Sequence, residues 1–265
     1  MLDRVTTKIA TRVFLSRSSS RYIRQAGRII ANELQKILRR SGPVLYNRFE
    51  EPTILAEPFN KVLGDGTLKK AATVLREGGI NVNWRDLANV DLKIYGSRSN
   101  FNPPKMLLTV GWDPDYWSWD DFVGDEFLRT FMHEFVHVVD FLRGNPEGYD
   151  RSGLTDREYF THDLEINALI QQTLDQYERD LLQDVEGVIQ NSDDIEWDLM
   201  TLLGKTSRQM LEDFAYNNLP SDLYRYMLDD RELKQRIMKR LYTEVEEVKD
   251  ALRNRVKRET GITVP

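Results

Sequence analysis

The chain has three histidines, at positions 133, 137 and 162, and no cysteine. Thiolate metal sites, cysteine nucleophiles and disulfides are therefore excluded. A metal ion would have to be held by imidazole and carboxylate. Two of the three histidines stand in the run His133-Glu134-Phe135-Val136-His137. On a helix, positions i and i+4 differ by about 40° around the axis and about 6 Å along it. Both imidazoles then point to one side and can share a single ion in a tetrahedral site. Glu134 follows one ligand directly, so its carboxylate leans beside the ion and can act as a base on water without binding the metal. At this chain's composition such a run is expected by chance roughly 0.002 times, so coincidence explains it poorly.

The element that must carry these residues reads as a helix from about Asp121 to Arg143, with Gly144 where a C-terminal cap belongs. Phe127, Leu128, Phe131, Met132, Phe135, Val136, Val138, Val139 and Leu142 make it apolar almost all round, which predicts a buried helix. Glu126, Thr130, His133, His137 and Asp140 fall on one polar stripe. Buried polar groups need partners, and a metal-lined cleft supplies them. Asp140 can orient a ligand imidazole or pair with Arg143. A second helix, expected to start near Thr155 or Asp156 and to run past Tyr177, carries Tyr159, His162 and Glu165. His162 and Glu165 are i and i+3 and share a face, so either can reach the ion as a third ligand.

In these residues the chain resembles the zincin metallopeptidases whose third ligand is a Glu on the helix after the H-E-x-x-H helix. The stretch Glu165-Ile166-Asn167-Ala168 is similar to the E-x-x-A pattern of small bacterial and phage-encoded zincins such as the ImmA/IrrE group. No H-x-x-G-x-x-H extension follows His137. The resemblance spans roughly residues 91–178. It implies one Zn²⁺ held by His133, His137 and Glu165, with Glu134 as catalytic base. It leaves His162 or Tyr159 to stabilise an oxyanion, and it implies hydrolysis of a peptide or protein substrate. It also implies a strand edge that aligns the peptide, for which Lys105–Trp112 is the candidate. Two other functions fit the same residues: hydrolysis of a small amide or peptidoglycan crosslink, and a non-catalytic scaffold within a virion or complex.

The expected fold class is α+β, mostly helical. Asp91–Tyr95 and Lys105–Trp112 alternate like strands and together suggest a hairpin before the metal helix. Beyond it, residues through Val256 are largely helical, with breaks near 191–194 and 219–222. Leu223, Tyr226, Met227, Leu233, Ile237, Leu241, Val245 and Val248 form a packing face. Three segments follow: an amphipathic arm (1–42), a metallopeptidase core (43–190) and a helical C-terminal region (191–265). The net charge of −6 conceals an asymmetry: residues 1–50 balance at +8 and the remainder at −14. In residues 21–40, Tyr22, Ile23, Ala26, Ile29, Ile30, Leu34, Ile37 and Leu38 repeat at helical spacing, with Arg21, Arg24, Arg28, Arg39 and Arg40 placed on the opposite side. This arm is expected to pack on the acidic body or a second subunit; docking to an anionic partner and an organelle transit peptide are the alternatives. No run approaches the ~20 apolar residues of a membrane span, and the composition suits a soluble, cytoplasmic chain.

Overall fold

The computed structural model describes residues 17–41, 55–94, 99–113, 116–144 and 154–264. The start of the arm before residue 17, Tyr95 at the end of the first expected strand and the loop 145–153 lie outside the described residues. The architecture is mostly helical α+β, with one four-stranded sheet. Two compact units divide the chain. The first holds the described residues up to Leu154 together with His162–Gln172, and the second holds Thr155–Thr161 and everything from Thr173 onward. Among the described residues no helix is long and apolar enough to cross a membrane.

The first unit opens with helix α1 (Arg17–Ser41), followed by β1 (Leu55–Pro58), α2 (Phe59–Glu77), α3 (Trp84–Ala88), β2 (Asp91–Ile94), β3 (Asn100–Asn102), β4 (Leu107–Val110) and the metal-motif helix α4 (Phe127–Leu142). Helix α1 forms where the 3.6-residue periodicity predicts it. It buries Ile23, Ala26, Ile30, Leu34 and Leu38 in the unit's core. Arg39 and Arg40 in its last turn complement the helix dipole. Arg24 departs from the expected pattern: it is buried, 1% exposed, rather than on the solvent side. The physical reason is a specific partner, taken up below.

The sheet corrects the expected hairpin. Strand order is β1-β2-β4-β3. The β2 and β4 strands run parallel, with Leu92 opposite Leu108 and Ile94 opposite Val110. A parallel pair needs a return path. The β3 strand provides it, pairing antiparallel with β4 through Phe101 and Leu108 and turning back through a short 3₁₀ turn at Pro103–Lys105. The Lys105–Trp112 segment is thus interior, and the edge beyond it belongs to β3. Leu92, Ile94, Leu108 and Val110 are fully buried and face the same core as α4.

On α4, Phe127, Phe131 and Phe135 recur every four residues, each ring centroid 5.7 Å from the next. Phe122 extends the row at 5.8 Å and Phe59 of α2 closes on Phe131 at 6.4 Å. This aromatic spine anchors one side of the helix and leaves its polar stripe in place. Replacing the fully buried Phe131 by alanine is expected to destabilise the protein by about 3–5 kcal/mol, from lost burial plus a cavity. Chemical denaturation of both forms checks this. The helix stops at Gly144, whose φ of +83° is a left-handed conformation that favours glycine, and whose N–H donates to the Phe141 carbonyl at 2.9 Å.

Past the metal helix, the expected single helix is two: α5 (Asp156–Thr161) and α6 (Asp163–Asn191), with His162 at a bend between them. The first turns of α6 belong to the first unit and the rest to the second. The second unit continues through α7 (Ile195–Leu203), α8 (Arg208–Asn218), α9 (Ser221–Asp229) and α10 (Arg231–Thr260). The predicted breaks near 191–194 and 219–222 are present, and two more occur at 204–207 and at Asp230. Leu199 and Leu203 of α7 pack with Val248, Leu252 and Val256 of α10. The last carbonyls around α7 find cations: Lys249 Nζ donates to Gly204 O and Arg253 Nε to Leu203 O, both at 2.8 Å. Burial holds the Lys249 ammonium below its ordinary range, against the opposing pull of Glu246.

Candidate metal centre

His133 and His137 project from one side of α4, their rings edge to face at 5.0 Å between centroids. Glu165, in the first turn of α6, meets them. Its Oε1 lies 3.1 Å from His133 Nε2 and its Oε2 3.5 Å from His137 Nε2, while the two Nε2 atoms are 3.3 Å apart. An imidazole nitrogen has one in-plane N–H or one lone pair, so it cannot satisfy two such neighbours at once. A cation at their common centre can be met by all three. In a tetrahedral site with bonds of about 2.0–2.1 Å, ligand atoms sit about 3.3 Å from one another. The two Nε2 atoms are that far apart and each has one oxygen of Glu165 within 3.5 Å, so His133, His137 and Glu165 are a group that could hold a metal ion.

Burial sets the electrostatics. The His137 and Glu165 side chains are each 2% exposed and His133 is 12% exposed, so access from solvent comes past His133. Burial pushes the Glu165 carboxyl up, but hydrogen bonds from His133 and His137, together with their charge, outweigh it and hold Glu165 well below the usual carboxylate range. The carboxylate is therefore kept ionised, as a ligand must be. Glu134 is also buried, 5% exposed, one residue along from His133.

The frame around these residues comes largely from side chains that the sequence did not single out. Asn167, two residues beyond Glu165, donates to the Asp140 carboxylate at 2.9 Å and ties α6 to α4 next to the ligands. Asp140 lies 3.9 Å from Arg143, the outer limit of an ion pair, so Asn167 is its stronger partner. Arg24 of α1 donates to the Gln171 side chain of α6 at 2.7 Å, which explains its burial. Gly27 of α1 packs directly on α4: a Cβ there would lie 2.8 Å from Met132 Cε and 3.0 Å from a Phe135 ring carbon, so a larger residue would make those side chains shift. Helix α1 thus grips both helices of the candidate metal centre.

Helix α1 also braces the entry to α4. Just before that helix, Phe122–Glu126 form a π-type turn, with Gly124 at a non-helical ψ of −124°. Such turns free backbone carbonyls. Gln35 Nε2 donates to two of them, Val123 O at 2.6 Å and Gly124 O at 2.8 Å. Gln35→Ala is expected to loosen the start of the ligand helix and to weaken metal binding about tenfold, as loss of supporting contacts around a metal site commonly does. Competition titration against a chromophoric chelator measures it.

His162 belongs to the first unit, at the bend before α6. Its Nδ1 accepts the Leu164 N–H at 3.4 Å, so a neutral ring carries its proton on Nε2. Tyr159 falls in the second unit, on α5, where its ring stands edge-on to Phe160 at 5.1 Å. Glu158 accepts from the Thr155 N–H and hydroxyl and caps α5.

No protein-family model, curated protein or solved structure matches this chain. The site must be read from its own residues.

Proposed function

We propose that the chain is a zinc-dependent metallopeptidase of the zincin kind. The observation that carries this reading is the convergence of His133, His137 and Glu165 on one centre, with Glu134 adjacent on the same helix. Two imidazoles and one carboxylate favour zinc over calcium or magnesium, which prefer all-oxygen sites. Three protein ligands leave one position open, the pattern of catalytic rather than structural zinc. When bound, the ion supplies Lewis acidity that polarises a carbonyl and activates water.

The remaining work falls to the chain's own groups. Glu134 takes a proton from the attacking water and delivers it to the leaving amine. His162, with Nδ1 engaged by the backbone, offers Nε2–H, the kind of donor that stabilises an oxyanion. The β3 edge offers the backbone groups of Asn100–Asn102 to an extended substrate, which would join as an added strand. Phe101 of β3 packs on Phe141 of α4 at 5.8 Å, which brings this strand against the helix that carries His133 and His137.

The test is elemental analysis of the purified full chain, followed by incubation with a peptide library. One zinc per chain is expected, with cleavage that stops on chelation and returns with added zinc. Absence of zinc even after resupply would overturn the reading. Bound zinc with turnover of small amides alone would move the assignment to that substrate class.

A further inference from the structure

The second unit carries two unlike surfaces at opposite ends of α10. Near the N-terminus of α10, a groove of about 600 Å³ lies between α8 and α10, with Leu211, Met238 and Tyr242 among its lining residues. Its rim holds Arg208, Arg231, Lys234 and Lys239 against one carboxylate, Glu212. Arg208 and Lys234 both lean on Glu212, at 3.2 and 3.8 Å. Arg231 and Lys239 have no ion-pair partner among the described residues. The groove is thus basic, as α10 itself is.

The other surface is the outer face of α7. Leu199 and Leu203 turn inward onto Val248, Leu252 and Val256, while Trp197 is left 66% exposed and Met200 39% exposed, one turn apart. An exposed aromatic and a methionine side by side mark a contact surface. Asp193, Asp194 and Glu196 surround them, all exposed. This is an acidic, amphipathic helix with its apolar stripe uncovered.

The two surfaces match in charge, polarity and length. Helix α7 has nine residues, about 13 Å, and the groove follows Arg231 to Tyr242, about 16 Å of α10. They cannot meet within one chain. Helix α7 packs at residues 248–256 of α10, some 15 residues or about 20 Å along a rigid helix from the groove.

We infer that α7 of one copy docks in the α8/α10 groove of a second copy, with Trp197 and Met200 against Leu211, Met238 and Tyr242 and the acidic residues of α7 against Arg231 and Lys239. Both halves of the interface are on the same chain, which favours a second copy over an unrelated acidic partner. Exchanged reciprocally, the contact closes a two-fold dimer; made one at a time, it leaves one groove and one helix free and extends to a ring or an open filament. One helix in one groove is a small interface and associates weakly, at micromolar concentrations or above.

Sedimentation velocity of the full chain over a concentration series tests this. The average mass should rise with concentration to that of a dimer or beyond, and the rise should shrink in about 0.5 M salt, where exposed charges are screened. Two variants separate the halves: Trp197→Ala with Glu196→Lys removes the helix face, and Arg231→Glu with Lys239→Glu removes the groove. All four positions are exposed, so circular dichroism melting should be unchanged. Each variant alone should stay monomeric. An equal mixture should form a dimer that grows no further, because one intact groove meets one intact helix and nothing remains to extend it. A wild type that is monomeric throughout, a mixture that stays monomeric, or single variants that assemble like wild type would each overturn the inference. Association of wild type with an unrelated acidic peptide but not with itself would also overturn it.

Discussion

Glu134→Gln is expected to keep one metal per chain and to lose peptide hydrolysis by about 100- to 10,000-fold, the range a general base contributes. The two side chains have nearly the same volume, and position 134 is only 5% exposed, so the substitution should not disturb packing. Glutamine can hydrogen-bond water but cannot accept its proton. The loss should therefore fall on kcat, with KM and metal content close to wild type. A merely structural Glu134 would give the opposite pattern: a lowered melting temperature or lost metal, with activity following the folded fraction. Retention of full activity by Glu134→Gln would remove this residue from the mechanism.

What could be read from the sequence follows the reach of each signal. Helices α1 and α4 were legible because apolar residues repeating every three to four positions over twenty residues leave few alternatives. The i, i+4 histidines were legible because helical geometry alone brings them together. The approach of Glu165 was an inference across 28 residues, and it came from a pattern rather than from periodicity. Strand pairing was not legible. The four strands have three or four residues each, too few for alternation to say which neighbour each takes, and the parallel β2–β4 pair depends on β3 slipping round to the edge. The bend at His162 was also hidden, because Thr161-His162-Asp163 contains no glycine or proline to announce it. Arg24 and Gln35 escaped for a different reason. A cation or amide on an amphipathic helix is normally solvent-facing. Only the tertiary partners, the Gln171 amide and the Val123 and Gly124 carbonyls, make their burial favourable.

That frame bears directly on the ligand set. Glu165→Ala is expected to reduce bound zinc from one per chain to near none after dialysis, because losing one of three donors costs several kcal/mol of binding, about a thousandfold or more. The site is held by α1, α4 and the start of α6 through contacts that do not involve the metal, among them Asn167 with Asp140 and Arg24 with Gln171. The variant should therefore remain folded, and metal loss can be read apart from unfolding. His162→Ala is the discriminating control. It should keep its zinc, since His162 spends Nδ1 on the Leu164 N–H and lies outside the three-donor group. The reverse result, zinc retained in Glu165→Ala and lost in His162→Ala, would make His162 the third ligand. In wild type, zinc should also be released as the pH falls below about 6, because both imidazoles must be unprotonated to bind and protons compete for them. Glu165 resists that competition: its carboxylate is held below the usual range and stays ionised after the histidines have protonated. Acid release should therefore follow the imidazoles rather than the carboxylate, and a titration combining zinc release with proton uptake would measure it.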